Sequence, residues 1–228
     1  VDAVTGSIKE RERSRGNLRL SLIGHPDRKI WYTVRDGDKM GKEKLKGQDK
    51  IKFLYGHILE CLLIFLSRTA GHTVTDEQKT VTVNGVVGHQ DAIVDNVLVD
   101  FKSASSYGFK KFKENTIHSD DPFGYIAQIS AYAQANNLDK AGFVVIDKSS
   151  GELCYCPVHS MEMINAEERI ESLKQTVKSD IAPPRCYSDI PDGKSGNHKL
   201  HIGCVYCSYK HVCWSDANGG QGLKKFNY

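Results

Sequence analysis

The chain has 228 residues, 39% of them hydrophobic, and a formal net charge of +3 at pH 7. These values fit a globular protein with one domain, or with one domain and a small appendage. The charge is too small to establish a nucleic-acid partner by itself, although local basic patches can still provide one. No apolar stretch reaches the roughly 18 residues of a membrane span, and no signal peptide is recognisable.

Basic residues are concentrated in three segments. They are an N-terminal run (Lys9, Arg11, Arg13, Arg15, Arg19), the segment Lys39 to Lys52, and the run Lys110-Lys111-Phe112-Lys113. Each segment is a candidate phosphate-binding surface, and solvated surface is the alternative. The seven cysteines argue against a disulfide scaffold and favour metal ligands, because the chain has the character of an intracellular protein.

Apolar periodicity predicts the elements in chain order. A mostly buried helix is predicted over 51–70, with helical spacing of Ile51, Leu54, Ile58, Leu62 and Phe65. A strand meander follows, with turns at Asn84-Gly85 and Asp95-Asn96 between strands 80–83, 86–94 and 97–102. The later predicted elements are a helix over 123–136, a hairpin of 143–147 with 153–158, and a helix over 165–179.

This order predicts an α/β fold in which a small mixed sheet lies between helices. The amino-acid composition changes near Pro183, after which Pro, Gly, Ser, Asn and Cys dominate. We therefore predict a core over residues 1–180, including the basic N-terminal segment, and a cysteine-rich module over 181–228.

Two carboxylates and one lysine are predicted to share one face of a hairpin. Asp100 and Lys102 are two residues apart on a strand, so their side chains point the same way. Pairing about the turn Asp95-Asn96 places Asp91 opposite Asp100. Carboxylates suit Mg²⁺ or Mn²⁺, and a lysine beside them can orient or help to deprotonate a metal-bound water. The pattern favours phosphodiester hydrolysis, and a surface ion pair is the alternative.

Three further polar residues are candidates for the same cleft. Glu60 interrupts an apolar helix, where a carboxylate is costly unless it is paired, metal-bound or at the exposed edge. Gln128 and Tyr132 are four residues apart on a predicted helix and therefore lie on one face.

Four short motifs carry these residues in order. They are Gly56-His57-Ile58-Leu59-Glu60, Gly88-His89-Gln90-Asp91, Asp100-Phe101-Lys102 and Gln128-Ile129-Ser130-Ala131-Tyr132. Together they resemble the RecB-like branch of the PD-(D/E)XK nuclease superfamily. The glutamate of the first motif is similar to λ-type exonucleases, whereas RecB and the CRISPR adaptation nucleases have histidine there.

The resemblance implies a restriction-endonuclease-like core, with a central mixed β-sheet flanked by helices, and an active-site Mg²⁺ or Mn²⁺. The implied metal ligands are Glu60, Asp91, Asp100 and the carbonyl of Phe101. Lys102 would be the catalytic lysine, and Gln128 and Tyr132 would contact DNA or orient the site.

A cysteine cluster closes the sequence. Cys204, Cys207 and Cys213 have the spacing C-x₂-C-x₅-C, and Cys186 opens the same module as the natural fourth ligand. Four thiolates suit tetrahedral Zn²⁺ or a 4Fe–4S cluster. Iron–sulfur nucleases of the RecB-like branch are similar, but their first cysteine lies near the N-terminus. His25 and Cys61 therefore remain alternatives to Cys186.

The resemblance implies a metal-dependent deoxyribonuclease, an exonuclease that acts at DNA ends in recombination, repair or phage DNA processing. It would work in the cytoplasm of a bacterium or a phage-infected cell, with DNA and no membrane as its partner. Partners in a recombination complex and the oligomeric state stay open. A structure-selective endonuclease with the same site and a non-catalytic nucleic-acid-binding adaptor are the alternatives.

Overall fold

The computed structural model describes residues 16–35 and 47–223. Much of the predicted basic N-terminal run, and residues 39–46 of the second basic segment, lie outside the described residues. The chain forms two compact units. The first contains described residues 19–24 and 47–171, and the second contains 16–18, 25–35 and 172–223. The predicted boundary between residues 180 and 181 falls within the second unit.

The first unit is built on a mixed β-sheet. Its strands are β1 (Val74–Thr75), β2 (Thr80–Val83), β3 (Val86–His89), β4 (Ala92–Val94), β5 (Val97–Ala104), β6 (Ala141–Asp147) and β7 (Leu153–Val158). The main sheet has the order β1-β4-β5-β6-β7. Strands β5 and β6 pair in parallel, and the other neighbours pair antiparallel. The predicted α/β fold with a central mixed sheet is confirmed.

The predicted continuous strand over 86–94 is wrong. Strand β3 pairs with β2 in a separate two-stranded sheet, whereas β4 belongs to the main sheet. The break falls at Gln90 and Asp91, whose backbone groups leave the ladder and bond to the loop before β2. The N–H of Gln90 donates to the carbonyl of Lys79, and the carbonyl of Asp91 accepts from the N–H of Gln78.

Both predicted hairpin turns are confirmed. Asn84, Gly85, Asp95 and Asn96 all have positive φ, the backbone conformation of two-residue turns whose twist matches the strands. The hairpin of β6 and β7 is confirmed as well.

The helices of the first unit pack against the sheet. They are α2 (Gly47–Thr69), α3 (Ser106–Lys113) and α4 (Tyr125–Ala135), while α1 (Asp27–Arg35) belongs to the second unit and α5 (Ala166–Lys178) crosses the boundary. Helices α1 and α3 were not predicted. The helices predicted over 123–136 and 165–179 are confirmed as α4 and α5. Helix α4 begins after Asp121, whose carboxylate accepts hydrogen bonds from the N–H groups of Gly124 and Ile126, both 2.8 Å.

The prediction that α2 is mostly buried is wrong. The five apolar residues of its predicted inner face are between 39% and 62% exposed, and the buried positions are instead Leu59, Leu63 and Ile64. The apolar residues of α2 are distributed around its whole circumference, so their periodicity does not identify which face is buried. The three buried residues cluster with Val99 and Phe101 of β5, which fixes the side of α2 that faces the sheet.

The second unit consists of α1, the end of α5 and short elements. These are β8 (Ile190–Pro191), β9 (His198–Lys199), α6 (Ile202–Val205), α7 (Lys210–Cys213) and α8 (Ala217–Gly220). Leu200, Trp214 and Leu223 form a small core there. Among the described residues of both units, no helix has the length and apolar character needed to cross a membrane.

Candidate active site

The pairing of β4 with β5 positions the two predicted aspartates. Ala92 lies opposite Val99, and continuing this register by one residue places Asp91 opposite Asp100. This is the register predicted from the turn. Asp91 lies just before β4, and its Oδ2 accepts a 2.8 Å hydrogen bond from the N–H of Phe101. The backbone of β5 therefore holds the Asp91 carboxylate beside the strand that carries Asp100 and Lys102.

Asp100, which is buried, and Lys102, which is partly exposed, form an ion pair on one face of β5. The Nζ of Lys102 lies 2.5 Å from Oδ2 of Asp100, and their side chains are 22% and 3% exposed, respectively. Apart from this ion pair, both carboxylate oxygens of Asp100 are buried without a hydrogen-bond partner. A buried carboxylate normally has its oxygens satisfied, so these oxygens have capacity for another positive ligand.

Burial shifts the pKa values of Asp91 and Lys102, the two neighbours of Asp100, in opposite directions. It raises the pKa of Asp91 to about 8, and the negative charge of Asp100 adds to this effect. For Lys102, burial disfavours the charged form, but the charges of Asp100 and Asp91 outweigh it and raise the pKa of the ammonium group above its usual range. The charge of one lysine thus acts on two carboxyl groups, and the site contains more acidic groups than basic ones.

Glu60 brings a third carboxylate to this site from α2. Its side chain is 18% exposed, and its charge acts on Asp91. The Nε2 of Gln78 donates a 2.6 Å hydrogen bond to Oε1 of Glu60, and Nδ1 of His57 lies 3.5 Å from Oε2. We call Glu60, Asp91, Asp100 and Lys102 the carboxylate site.

Helix α4 contributes Gln128 and Tyr132 as predicted neighbours on one face. Gln128 hydrogen-bonds to Tyr132, and burial followed by the charge of Asp100 raises the pKa of Tyr132 to about 12. Tyr132 packs closely on Gly88, where an added Cβ would lie 2.7 Å from the tyrosine ring. The glycine of the second motif thus leaves room for the tyrosine of the fourth.

Sequence reasoning missed Tyr125 and Gln78. The Nζ of Lys102 lies 5.2 Å from the ring centroid of Tyr125, within the range of a cation–π interaction. Tyr125 is two helical turns before Tyr132, so helical periodicity could have revealed it. Gln78 lies in an irregular loop, where no periodic signal marks it.

The third basic run is largely paired with acidic residues. Lys110 pairs with Glu114, Lys111 with Asp120, and Lys113 with Glu152. These pairs favour the solvated-surface interpretation of this run.

The donor chemistry of the carboxylate site fits a divalent cation. Its ligands would be the hard oxygens that Mg²⁺ and Mn²⁺ prefer, and the two buried oxygens of Asp100 have capacity to bind one. Among the described residues, however, no three His, Cys, Asp or Glu side chains stand in an arrangement that could hold a metal ion. Closure on a cation therefore requires side-chain movement, and the metal-ligand roles stay predictions.

In the second unit, four cysteines line one small cavity. Cys186, Cys204, Cys207 and Cys213 surround a volume of about 30 Å³, which we call the cysteine cavity. All four are free thiols. The predicted fourth cysteine, Cys186, thus lies with the other three, whereas the alternatives His25 and Cys61 do not line this cavity.

Positive groups surround the cysteine cavity. Arg28 hydrogen-bonds to Cys213, and the charge of Lys29 acts on Cys207. The backbone N–H groups of these two residues, in the first turn of α1, donate to Cys186. Burial nevertheless raises the pKa of Cys204 to about 11, which keeps this thiol protonated at neutral pH in the absence of a metal.

Comparison with solved structures gives a fold match at low sequence identity. The chain is similar to SSO0001, with 13% identity and a TM-score of 0.51 over 93% of this chain and 91% of that one. Two weaker similarities are an alkaline exonuclease from Laribacter hongkongensis (15% identity, TM-score 0.47, 72% of this chain and 84% of that one) and a phage-related exonuclease from Haemophilus somnus 129PT (17%, 0.43, 72% and 91%). No family model matches the chain, and no curated protein matches it significantly. At this identity, the similarity to SSO0001 extends to the fold alone.

Proposed function

We propose that this chain is a metal-dependent nuclease that hydrolyses phosphodiester bonds in DNA. The observation that carries the proposal is the Asp100–Lys102 ion pair, which lies beside Asp91, a carboxylate on which the charge of Glu60 also acts. A structural ion pair needs no further carboxylates around it, and their mutual repulsion costs stability. A hydrolytic site does need them, because they bind the cation.

The residues have separable roles in this proposal. Glu60, Asp91 and Asp100, with the carbonyl of Phe101, would hold Mg²⁺ or Mn²⁺. The bound cation would supply Lewis-acid stabilisation of the phosphate and lower the pKa of a bound water. Lys102 keeps its proton, donates to the reacting oxygens and orients the attacking water. Gln128 and Tyr132 would position the DNA or the lysine.

The exonuclease assignment is the finer part of the proposal. It rests on the motif resemblance, above all on a glutamate at position 60. A structure-selective endonuclease would use the same residues. A nucleic-acid-binding adaptor would have no use for the buried lysine and its carboxylates.

One assay separates these functions. Linear and covalently closed circular DNA are incubated with Mn²⁺ or with EDTA. The proteins compared are the wild type, Lys102→Ala and the control Lys113→Ala, whose lysine lies in an exposed surface pair. We expect degradation of linear DNA that requires Mn²⁺, is lost in Lys102→Ala and persists in Lys113→Ala. Cutting of closed circles would instead indicate an endonuclease, and no metal-dependent cleavage with either substrate would refute the nuclease proposal.

We further propose that the cysteine cavity holds a structural Zn²⁺ ion or a 4Fe–4S cluster. The four thiols line one small cavity and number the ligands that either group takes. As at the carboxylate site, closure on a metal would require side-chain movement. Metal analysis and the visible absorption spectrum of freshly purified protein distinguish the two, because only the cluster is brown. If a Cys204→Ser, Cys207→Ser double variant is metal-free but fully folded and active, the proposed structural role is wrong.

A further inference from the structure

A single glutamine contacts two of the proposed metal ligands. The side-chain Nε2 of Gln78 donates to Oε1 of Glu60 at 2.6 Å. The backbone N–H of the same residue donates to the carbonyl of Asp91 at 2.9 Å. Glu60 lies on α2 and Asp91 lies at the edge of β4, so Gln78 links two elements that are distant in sequence.

Hydrogen bonds from Gln90 hold the loop that carries Gln78 on both sides of this residue. Gln90 is fully buried; its N–H donates to the carbonyl of Lys79 at 3.1 Å, and its Nε2 donates to the carbonyl of Asp76 at 3.3 Å. The Oε1 of Gln90 accepts in turn from Nδ2 of Asn136, at the end of α4, at 2.6 Å. Helix α4 therefore supports this loop through the buried side-chain amide of Gln90.

The backbone of the loop adopts a conformation that side chains disfavour. Asp76 and Gln78 have φ values of 53° and 50°, the left-handed region in which residues other than glycine are strained. In this left-handed conformation, Gln78 donates one hydrogen bond to Glu60 and another to Asp91. The strain is therefore found where the loop meets the site.

We propose that Gln78 is a positioning residue that fixes the carboxylate of Glu60 for metal binding. The inference rests on the proposed function, since it takes Glu60 as a metal ligand. A primary amide is suited to this role because it donates a hydrogen bond without adding charge. It engages Oε1 and leaves Oε2, which has only a 3.5 Å contact with His57, free to turn toward a cation.

The side-chain length is specific to glutamine. Asparagine tolerates the left-handed backbone better than glutamine does, but its side chain is one methylene shorter, so its amide falls short of Glu60. The substitution Gln78→Asn therefore preserves the loop and removes the contact. Gln134→Ala is a matched control, because the side-chain Oε1 of Gln134 accepts a 3.1 Å hydrogen bond from the N–H of Ala166, away from the carboxylates.

The test is calorimetric titration of the full chain with Mn²⁺ in the absence of DNA, after a mild chelator has freed the carboxylate site, but not the cysteine cavity, of metal. The binding heat that disappears in Asp100→Asn is assigned to the carboxylate site. We expect Gln78→Asn to weaken this binding about tenfold, as is typical when a partner of a metal ligand is removed, with the thermal midpoint of the metal-free protein unchanged. Gln134→Ala should bind Mn²⁺ as the wild type does.

A double-mutant cycle shows whether Gln78 acts through Glu60. In a Glu60→Ala background, Gln78→Asn should weaken Mn²⁺ binding no further, because residues that act together are not additive. Equal losses in both backgrounds would overturn the inference, as would wild-type affinity in Gln78→Asn. If the wild-type chain neither binds Mn²⁺ at this site nor cleaves DNA, the proposed function fails together with the inference. If the wild type does both and Gln78→Asn is unaffected, only the inference fails.

Discussion

The carboxylate site of the first unit and the cysteine cavity of the second differ in charge and construction. In the first, several carboxylates surround one lysine, and a strand pair with a fixed register positions them. In the second, four thiols face Arg28 and Lys29, and loops and helices of about one turn bring them together. The first has an excess of negative groups, whereas the second supplies positive groups that can offset thiolate charge.

This difference determines what a bound metal contributes in each region. The sheet and α2 hold the carboxylate site in place without a metal. Removal of the metal should therefore abolish cleavage and leave the fold intact. The second unit has two small apolar clusters of three buried residues each, so metal ligation there would contribute directly to folding.

The largest expected effect is on catalysis at Lys102. We expect Lys102→Met to lower metal-dependent cleavage about 1000-fold, because it removes the charged hydrogen-bond donor that stabilises the reacting oxygens. It also leaves Asp100 buried and uncompensated, which should destabilise the metal-free protein by roughly 3 kcal/mol in urea unfolding.

The double variant Asp100→Asn, Lys102→Met separates these two effects. Because it removes both charges, we expect it to recover most of the lost stability while cleavage remains absent. If the single variant is as stable as the wild type, the ion pair is not buried as the structure shows. If the double variant still cleaves DNA, the pair is not catalytic.

The next effect concerns folding of the second unit. Structural zinc sites contribute about 10–16 kcal/mol of binding free energy, so loss of one ligand in four should cost about 3 kcal/mol. We expect Cys213→Ser to lower the bound metal content and the unfolding midpoint. The control Cys61→Ser, an exposed thiol on α2, should change neither quantity. Equal behaviour of the two variants would contradict a metal site at the cysteine cavity.

A smaller effect is expected from the packing of Gly88. Its added Cβ would lie 2.7 Å from both the Leu20 side chain and the Tyr132 ring, so Gly88→Ala should destabilise the first unit by about 1–3 kcal/mol. It should also lower cleavage by displacing Tyr132. Gly56→Ala provides the control, since its Cβ would meet open space on a helix and should be neutral or slightly stabilising. Equal stability of both alanine variants would show that the Gly88 contact is not tight.

The sequence predicted the parts of the molecule that follow a regular period. The turn at Asp95-Asn96 determined the β4–β5 register, and hence the approach of Asp91 to Asp100. The four-residue spacing of Gln128 and Tyr132 placed both on one helix face. The buried face of α2 was mispredicted because apolar residues surround the helix, and only contacts with β5 select Leu59 and Leu63.

The irregular parts could not be predicted in the same way. Gln78 reaches Glu60 from a loop with a left-handed backbone, and no sequence period describes such a conformation. The position of Cys186 beside the other three cysteines was predicted from the module, but its hydrogen bonds from the first turn of α1 were not, because that helix was not predicted. Tyr125 is an intermediate case, since its helix was predicted but its contact with Lys102 requires the tertiary fold.

The smallest expected effect concerns the positive surroundings of the second unit. Burial, followed by the charge of Lys29, lowers the pKa of His25 from 6.5 to about 4. A depressed pKa means that His25 contributes stability above pH 6.5, which is lost as the pH falls toward 4. Because His25 is only partly buried, solvent screens much of this effect, and we expect a loss of about 1 kcal/mol. His25→Gln cannot titrate, so its stability should fall less than that of the wild type between pH 7 and pH 4 in urea unfolding. Any acid-induced loss of metal is common to both proteins, so the difference between them isolates the histidine. Parallel pH profiles would show that burial and the charge of Lys29 do not hold His25 neutral.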